Sequence, residues 1–160
     1  MSIYSKMKIF NVDLTDIDPI EWIKGKDISE RGNWKLSLTD PPSNPDINID
    51  VAENALYIPV DEKIKRKVFD SVTGDHVIYS NCMGYPPSGG MSWHTNGDFP
   101  GARMYASWSE TGDSGMLFYK DGKVIVDKDV KGLNIRYFLA PSWHGVWSNC
   151  YRLSIGFRTK

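Results

Sequence analysis

The sequence predicts a mainly β protein of jelly-roll type, with one or two N-terminal helices packed on the outer sheet. Three observations carry this reading. After Gly74-Asp75 the chain is a succession of short runs rich in Val, Ile, Tyr, Trp and Phe, interrupted every several residues by Gly, Pro, Asn or Asp. Asp121-Gly122, between Leu117-Phe118-Tyr119 and Val124-Ile125-Val126, is a strong hairpin signal, because a type I′ turn needs positive φ at both centres. Only one stretch, Asp61 to Val72, has convincing helical periodicity.

Taken in order, Asp18-Pro19-Ile20-Glu21 has the form of a capping box. Asp18 stands at the N-cap, Pro19 at the first helical position, and Glu21 reaches back. One or two turns fit before Gly25. Trp34-Lys35-Leu36-Ser37-Leu38 alternates like a strand. The next segment, Asp40 to Asp46, holds Pro41, Pro42 and Pro45 and must be irregular, a loop that is a candidate for mobility. From Asp61, residues Ile64, Val68, Phe69 and Val72 share one helical face while Lys63, Lys65, Arg66 and Lys67 fill the rest, as for a helix laid on a sheet with its lysines solvated. Strands follow near 76–84, 91–95, 102–108, 115–119, 123–127, 133–139, 143–147 and 150–158. The expected organisation is one domain over 1–160, with a support segment 1–74 and a jelly-roll core 75–160.

At 160 residues the chain is long enough to bury a core without disulfide or metal staples. Nineteen Lys and Arg against 20 Asp and Glu leave a net charge of -1, which gives no global field for a phosphate backbone and leaves nucleic acid unsupported. Cys82 and Cys150 form no metal-type spacing and are read as reduced thiols. No stretch approaches the ~20 apolar residues of a membrane span, and Met1 to Lys8 lacks a signal-peptide core, so a soluble cytoplasmic protein, monomer or homodimer, is expected.

Two histidines sit in segments of recognisable chemistry: His94 in Ser92-Trp93-His94-Thr95-Asn96 and His144 in Pro141-Ser142-Trp143-His144-Gly145-Val146. Eight residues after His144 comes Arg152, in Arg152-Leu153-Ser154. Residues two apart on a strand share a side, so His94 and Asn96 converge from one segment, and Arg152 and Ser154 from another. By the same parity Trp93 and Trp143 point away from that face, while Trp108 or Trp147 is a candidate floor for a pocket and Tyr105, Ser107 and Tyr119 are candidate polar groups in it. Arg103 either pairs with Asp98 or Asp113 or faces the cavity. His76 has no such support and is read as structural.

From about Tyr79 onward the chain resembles the 2-oxoglutarate- and Fe(II)-dependent oxygenases, particularly their compact prolyl-hydroxylase-like branch. The parts run in that family's order: Tyr85-Pro86-Pro87 with Gly89-Gly90, then His94-Thr95-Asn96, Arg103 opening one strand and Gly115 another, His144-Gly145-Val146, and Arg152-Leu153-Ser154. The resemblance implies a double-stranded β-helix, or cupin-like jelly roll, with Fe(II) held by His94 and His144. It also implies that Arg152 and Ser154, with Tyr85 beside them, hold the far carboxylate of 2-oxoglutarate, a role suited to a planar two-donor cation. O2 is then the oxidant, succinate and CO2 are released, and an unidentified primary substrate, a peptidyl proline or a small molecule, is hydroxylated.

One residue departs from the pattern. Asn96 stands where the family has Asp or Glu, and a neutral amide supplies no negative charge to the metal. Three arrangements are compatible with the sequence: Asn96 ligates through its amide oxygen, Asp98 takes over as third ligand, or two histidines hold the metal with water or an anion in third place or in a dead site. The alternative function is a non-catalytic cupin-like domain that binds a metal or a small acid.

Overall fold

In the computed structural model, which describes residues 11–12, 18–70, 72–73 and 77–159, Asp18 caps a short 3₁₀ helix, Pro19–Trp22. Its carboxylate accepts the Ile20 N–H at 3.1 Å. The reciprocal Glu21 bond of a full capping box is not made, and the helix ends within a turn, before Gly25 at φ +75°. Strands β1 (Asn11–Val12), β2 (Ser29–Arg31) and β3 (Ala55–Pro59) precede helix α1 (Glu62–Asp70). Val72, read as part of that helix, instead begins β4 (Val72–Thr73), where two β-branched residues favour extended backbone and pair with β1.

The eight strands expected after residue 75 are all present: β5 (Val77–Tyr85), β6 (Gly89–His94), β7 (Gly101–Ser109), β8 (Ser114–Lys120), β9 (Lys123–Lys128), β10 (Gly132–Ala140), β11 (His144–Ser148) and β12 (Arg152–Thr159). His76 lies outside the described residues. Asp121 and Gly122 have φ of +52° and +74°, the geometry a type I′ turn requires, and join β8 to β9.

All pairings are antiparallel, and ten strands form one sheet in the order β10-β7-β12-β5-β3-β6-β11-β8-β9, with β2 alongside β3. β10-β7-β12-β5 makes one layer and β6-β11-β8-β9 the other. β3 bridges them, pairing through Ile58 and Pro59 with β5 and through Ala55 and Leu56 with β6. This is a jelly roll. The two free edges are brought together by Arg136 on β10, whose Nε donates to Asp127 on β9 at 2.7 Å.

Alternation along the strands divides the core in two. Leu153, Ile155 and Phe157 of β12 face outward with Cys82, Met104 and Ala106, and are covered by Trp22, Ile23 and Ile64 from the N-terminal helical segments. Tyr85, Met91, Tyr105, Met116 and Val146 fill the interior between the layers, with Phe118 and Phe138 against them. The N-terminal helices therefore do pack on the outer sheet. Cys82 and Cys150 are free and buried, and burial pushes the Cys82 thiol up to about 12. Among the described residues no helix is long and apolar enough to cross a membrane.

Two expectations need correction. Trp34 to Leu38 forms no strand, because Gly89 and Gly90 of β6 are already paired with β11 on one side and, at Gly90, with β3 on the other. Trp34 instead packs against Gly90, where a Cβ would meet its ring at 2.5 Å, and its indole donates to the Ser88 carbonyl at 2.9 Å. The proline-rich loop is tied down rather than loose: the Trp93 indole donates to Asp40 O at 3.2 Å and the Trp143 indole to Pro45 O at 2.9 Å. Those two tryptophans do point away from the interior, and that is what lets them hold the loop.

Candidate metal site inside the jelly roll

His94 closes β6 and His144 opens β11, and the two are register partners across the antiparallel pair. Their ring centroids lie 4.1 Å apart. Each ring is fixed in the same way: His94 Nδ1 lies 2.8 Å from the Ser92 carbonyl and His144 Nδ1 2.7 Å from the Ser142 carbonyl. A carbonyl accepts only, so Nδ1 carries the proton in both and Nε2 carries the lone pair, the ligating position of a neutral imidazole. The Ser92 carbonyl is two residues back from His94 and the Ser142 carbonyl two back from His144, so the same local device is used twice.

Both imidazoles are buried, His144 completely, and burial holds them neutral. Burial lowers His94 to about 4 despite the opposing Ser92 hydrogen bond. His144 is pushed well below the usual histidine range by burial and then by the neighbouring His94. A neutral imidazole is the form that binds a transition metal.

Asn96 follows at φ +57°, a left-handed conformation that asparagine tolerates better than most residues, and this turns its side chain back toward the histidines. Its Nδ2 donates to Tyr105 Oη at 3.2 Å and lies 3.2 Å from His144 Nε2. The carboxamide is two-faced, so rotation about its last torsion exchanges this nitrogen for an oxygen donor. Phe138 packs on His144 with ring centroids 4.9 Å apart, and Tyr105 and Phe118 stand further out. Burial raises the Tyr105 hydroxyl, so it is neutral beside the amide.

Asp98 does not complete the set. Among the described residues no group of three His, Cys, Asp or Glu is placed to hold a metal, and Asp98 is exposed in the turn after Asn96, whose Gly97 carries the chain outward.

Arg152 is wholly buried in the interior, with Ser107, Ser154 and Tyr85 around it. Its Nη2 donates to Ser107 Oγ at 3.0 Å, and its guanidinium carbon stands 5.9 Å from the Tyr85 ring centroid. It is not a free cation. Nε donates to Asp129 at 2.8 Å, and Asp129 also accepts from Arg136 at 2.6 Å and from Ser114 at 2.6 Å. Burial alone would raise the Asp129 carboxyl, but Arg152, Ser114 and Arg136 together hold it below its usual value. One donor of Arg152, Nη1, is buried with no partner. Asp129 was not legible as an interior acid, since Asp129-Val130-Lys131-Gly132 reads as a surface turn.

Arg103 faces the interior at the end where Asn96 lies and donates to the Phe99 carbonyl, with no ion pair to Asp98 or Asp113. Trp108 packs on the outer cluster and so cannot floor an interior pocket. Trp147 alternates away from His144 and Val146. Between the free edges, a groove of ≈ 720 Å³ is lined by Tyr119, Ile125, Val126, Leu139 and Trp143 and reaches Phe118, Phe138 and Ser142, which flank His144.

No family model matches the sequence, and no curated protein matches it significantly. Among solved structures, the cysteine peptidase Peruvianin-I from Thevetia peruviana latex aligns over 52% of this chain and 51% of its own length, at 16% identity and TM-score 0.41. This chain thus spans about half the length of that peptidase. A cupin domain from Bordetella pertussis Tohama I aligns over 55% of this chain and 85% of its own, at 16% identity and TM-score 0.37. The Drosophila melanogaster CENP-C cupin domain aligns over 72% and 84%, at 10% identity and TM-score 0.38.

Proposed function

We propose that this protein is an Fe(II)- and 2-oxoglutarate-dependent dioxygenase, acting as a hydroxylase, in which His94, His144 and the Asn96 amide oxygen hold the metal. The observation that carries the reading is the cross-strand histidine pair, with both Nδ1 protons engaged by main-chain carbonyls and the His144 Nε2 beside the Asn96 amide.

The donor set fits a divalent transition metal. Two neutral imidazoles are matched ligands for Fe(II), and the third position is a neutral oxygen, which suits a more weakly held ion than a carboxylate would. Bound there, Fe(II) would supply the O2 and 2-oxo-acid chemistry. The chain's own residues do the rest. Ser92 and Ser142 carbonyls orient the imidazoles, Phe118 and Phe138 exclude water, and Tyr105 holds the Asn96 amide. The free Nη1 of Arg152 is the group left to meet the far carboxylate of 2-oxoglutarate, with Ser154 and Tyr85 alongside, while Asp129 fixes the orientation of the guanidinium.

A second reading, a cupin-like binding domain without turnover, draws on Asn96 in place of a carboxylate and on the partial neutralisation of Arg152 by Asp129. Succinate formation separates the two. Protein loaded with Fe(II) under anaerobic conditions and exposed to O2 and 2-oxoglutarate should yield succinate, with the yield lost in His144→Ala. Metal binding without succinate, across a panel of prolyl peptides and small acids, would favour the binder and end the oxygenase reading.

A further inference from the structure

At the end of the jelly roll where Asn96 turns, Arg103 of β7 and Arg158 of β12 are direct cross-strand partners. Like charges facing each other across antiparallel strands oppose pairing, so an arginine pair at this position calls for a counter-charge. No direct ion pair supplies it: among the described residues no carboxylate forms an ion pair with either guanidinium, although Asp98 lies near enough to act on Arg103 through space. Arg103 is 2% exposed and its Nε is buried without a partner. Burial, foremost, pulls its pKa down; Tyr105 opposes this, Arg158 adds a smaller downward pull and Asp98 a smaller upward one. Arg158 is held in plane by stacking 3.7 Å over the Phe99 ring. Both arginines, with Asn81 and Asn96, line a cavity of ≈ 290 Å³, whose remaining wall includes Asp50 and Asp98.

We propose that this cavity binds the carboxylate of a small organic acid between Arg103 and Arg158, with Asn81 and Asn96 as further polar contacts. A planar guanidinium fixed by stacking presents the two-donor edge that a carboxylate matches. Asp50 and Asp98 line the same cavity. The volume lies near the lower end of small-molecule sites, enough for an acid of a few carbons. Asn96 is shared with the histidine pair, so the acid lies beside the candidate metal ligands. Arg152 is a different subsite: it lies six residues before Arg158 on β12, roughly 20 Å along the strand at about 3.3 Å per residue. The role of the acid as substrate or co-substrate rests on the proposed oxygenase function; its binding does not.

The test is calorimetric titration of the metal-free protein with succinate and with its neutral counterpart succinamide. Succinate should bind and succinamide should not. Arg158→Gln, a half-buried position at a strand end, should weaken succinate binding at least tenfold with unchanged thermal unfolding, and Arg103→Gln should do the same if it folds. Absence of succinate binding, equal binding by succinamide, or full affinity in Arg158→Gln would overturn the proposal. Repeating the titrations with Zn(II) and 2-oxoglutarate tells two sources apart, each consistent with the cavity. An Arg158-dependent gain in 2-oxoglutarate affinity on adding Zn(II) assigns the site to a metal-chelating acid, and affinity independent of Zn(II) assigns it to a separate acid. Neither iron nor turnover is needed, so a failed succinate-formation assay and a failed titration are distinct results.

Discussion

Few side chains set the chemistry, and their charge states follow from burial. In the metal-free protein His94 is held neutral down to about 4, whereas an unfolded histidine takes up its proton near 6.5. Falling pH therefore protonates the unfolded chain first, so stability is complete above about pH 6.5 and declines as pH drops toward 4. The loss attributable to His94 should be on the order of 3 kcal/mol at the lower end. Urea denaturation of the wild type and His94→Gln at pH 7, 5.5 and 4 checks this, the variant showing the shallower decline. Asn96→Asp adds a negative charge at the third ligand position and should tighten Fe(II) binding by on the order of tenfold, about 1.4 kcal/mol. Unchanged affinity would mean that this side chain does not reach the ion. That His94, His144 and Arg152 face the interior was legible in the sequence because strand parity fixes which side a residue faces. The fate of Asn96 was not, since it depends on one positive φ, and the partner of Arg152 was not, since Asp129 arrives from a turn remote in sequence.

Strands are where the sequence is most informative, because alternation and turn residues act locally. Every strand from β5 to β12 lies within about two residues of its expected place. β2 and β3 were missed: Ala55-Leu56-Tyr57-Ile58-Pro59 lacks an alternating pattern because β3 bridges the two layers and is partnered on both sides. The alternating Trp34–Leu38 was misread for the complementary reason: the stretch of β6 beneath Trp34 is already paired on both sides. The β8–β9 turn offers a graded test. Gly122→Ala meets nothing within 4 Å and should cost only the backbone strain of φ +74°, about 1 kcal/mol. Gly90→Ala would drive its Cβ to 2.1 Å from the Val146 carbonyl and 2.5 Å from Trp34, and should cost several times more. Paired urea unfolding curves give both numbers, and similar costs would show that β6 and β11 are less tightly apposed than described.

At the scale of the whole molecule, a charge network joins the two layers beside the apolar clusters. Asp129 ties Arg136 of β10 to Arg152 of β12, and Arg136 reaches across to Asp127 of β9, so one network of four residues spans both layers at the open side of the jelly roll. Removing one partner from a buried network leaves an uncompensated charge, and Asp129→Asn should destabilise the fold by about 3–5 kcal/mol, measured as a shift in urea midpoint. Because the Asp129 carboxyl is held below its usual 3.8, this contribution is present above that pH and is lost as the pH falls through the lowered value. Arg152 thus serves the fold as well as any ligand it meets, and only its Nη1 remains to be satisfied. The architecture was legible from local patterns, whereas this closure joins residues that no pattern links. The most direct test of the account is titration of the metal-free protein with Co(II), followed by visible absorption. The account predicts one equivalent bound by the wild type, with the ligand-field bands abolished in both His94→Ala and His144→Ala and altered in Asn96→Asp. Bands that persist without either histidine, or a wild-type protein that binds no Co(II), would contradict a metal site at this pair.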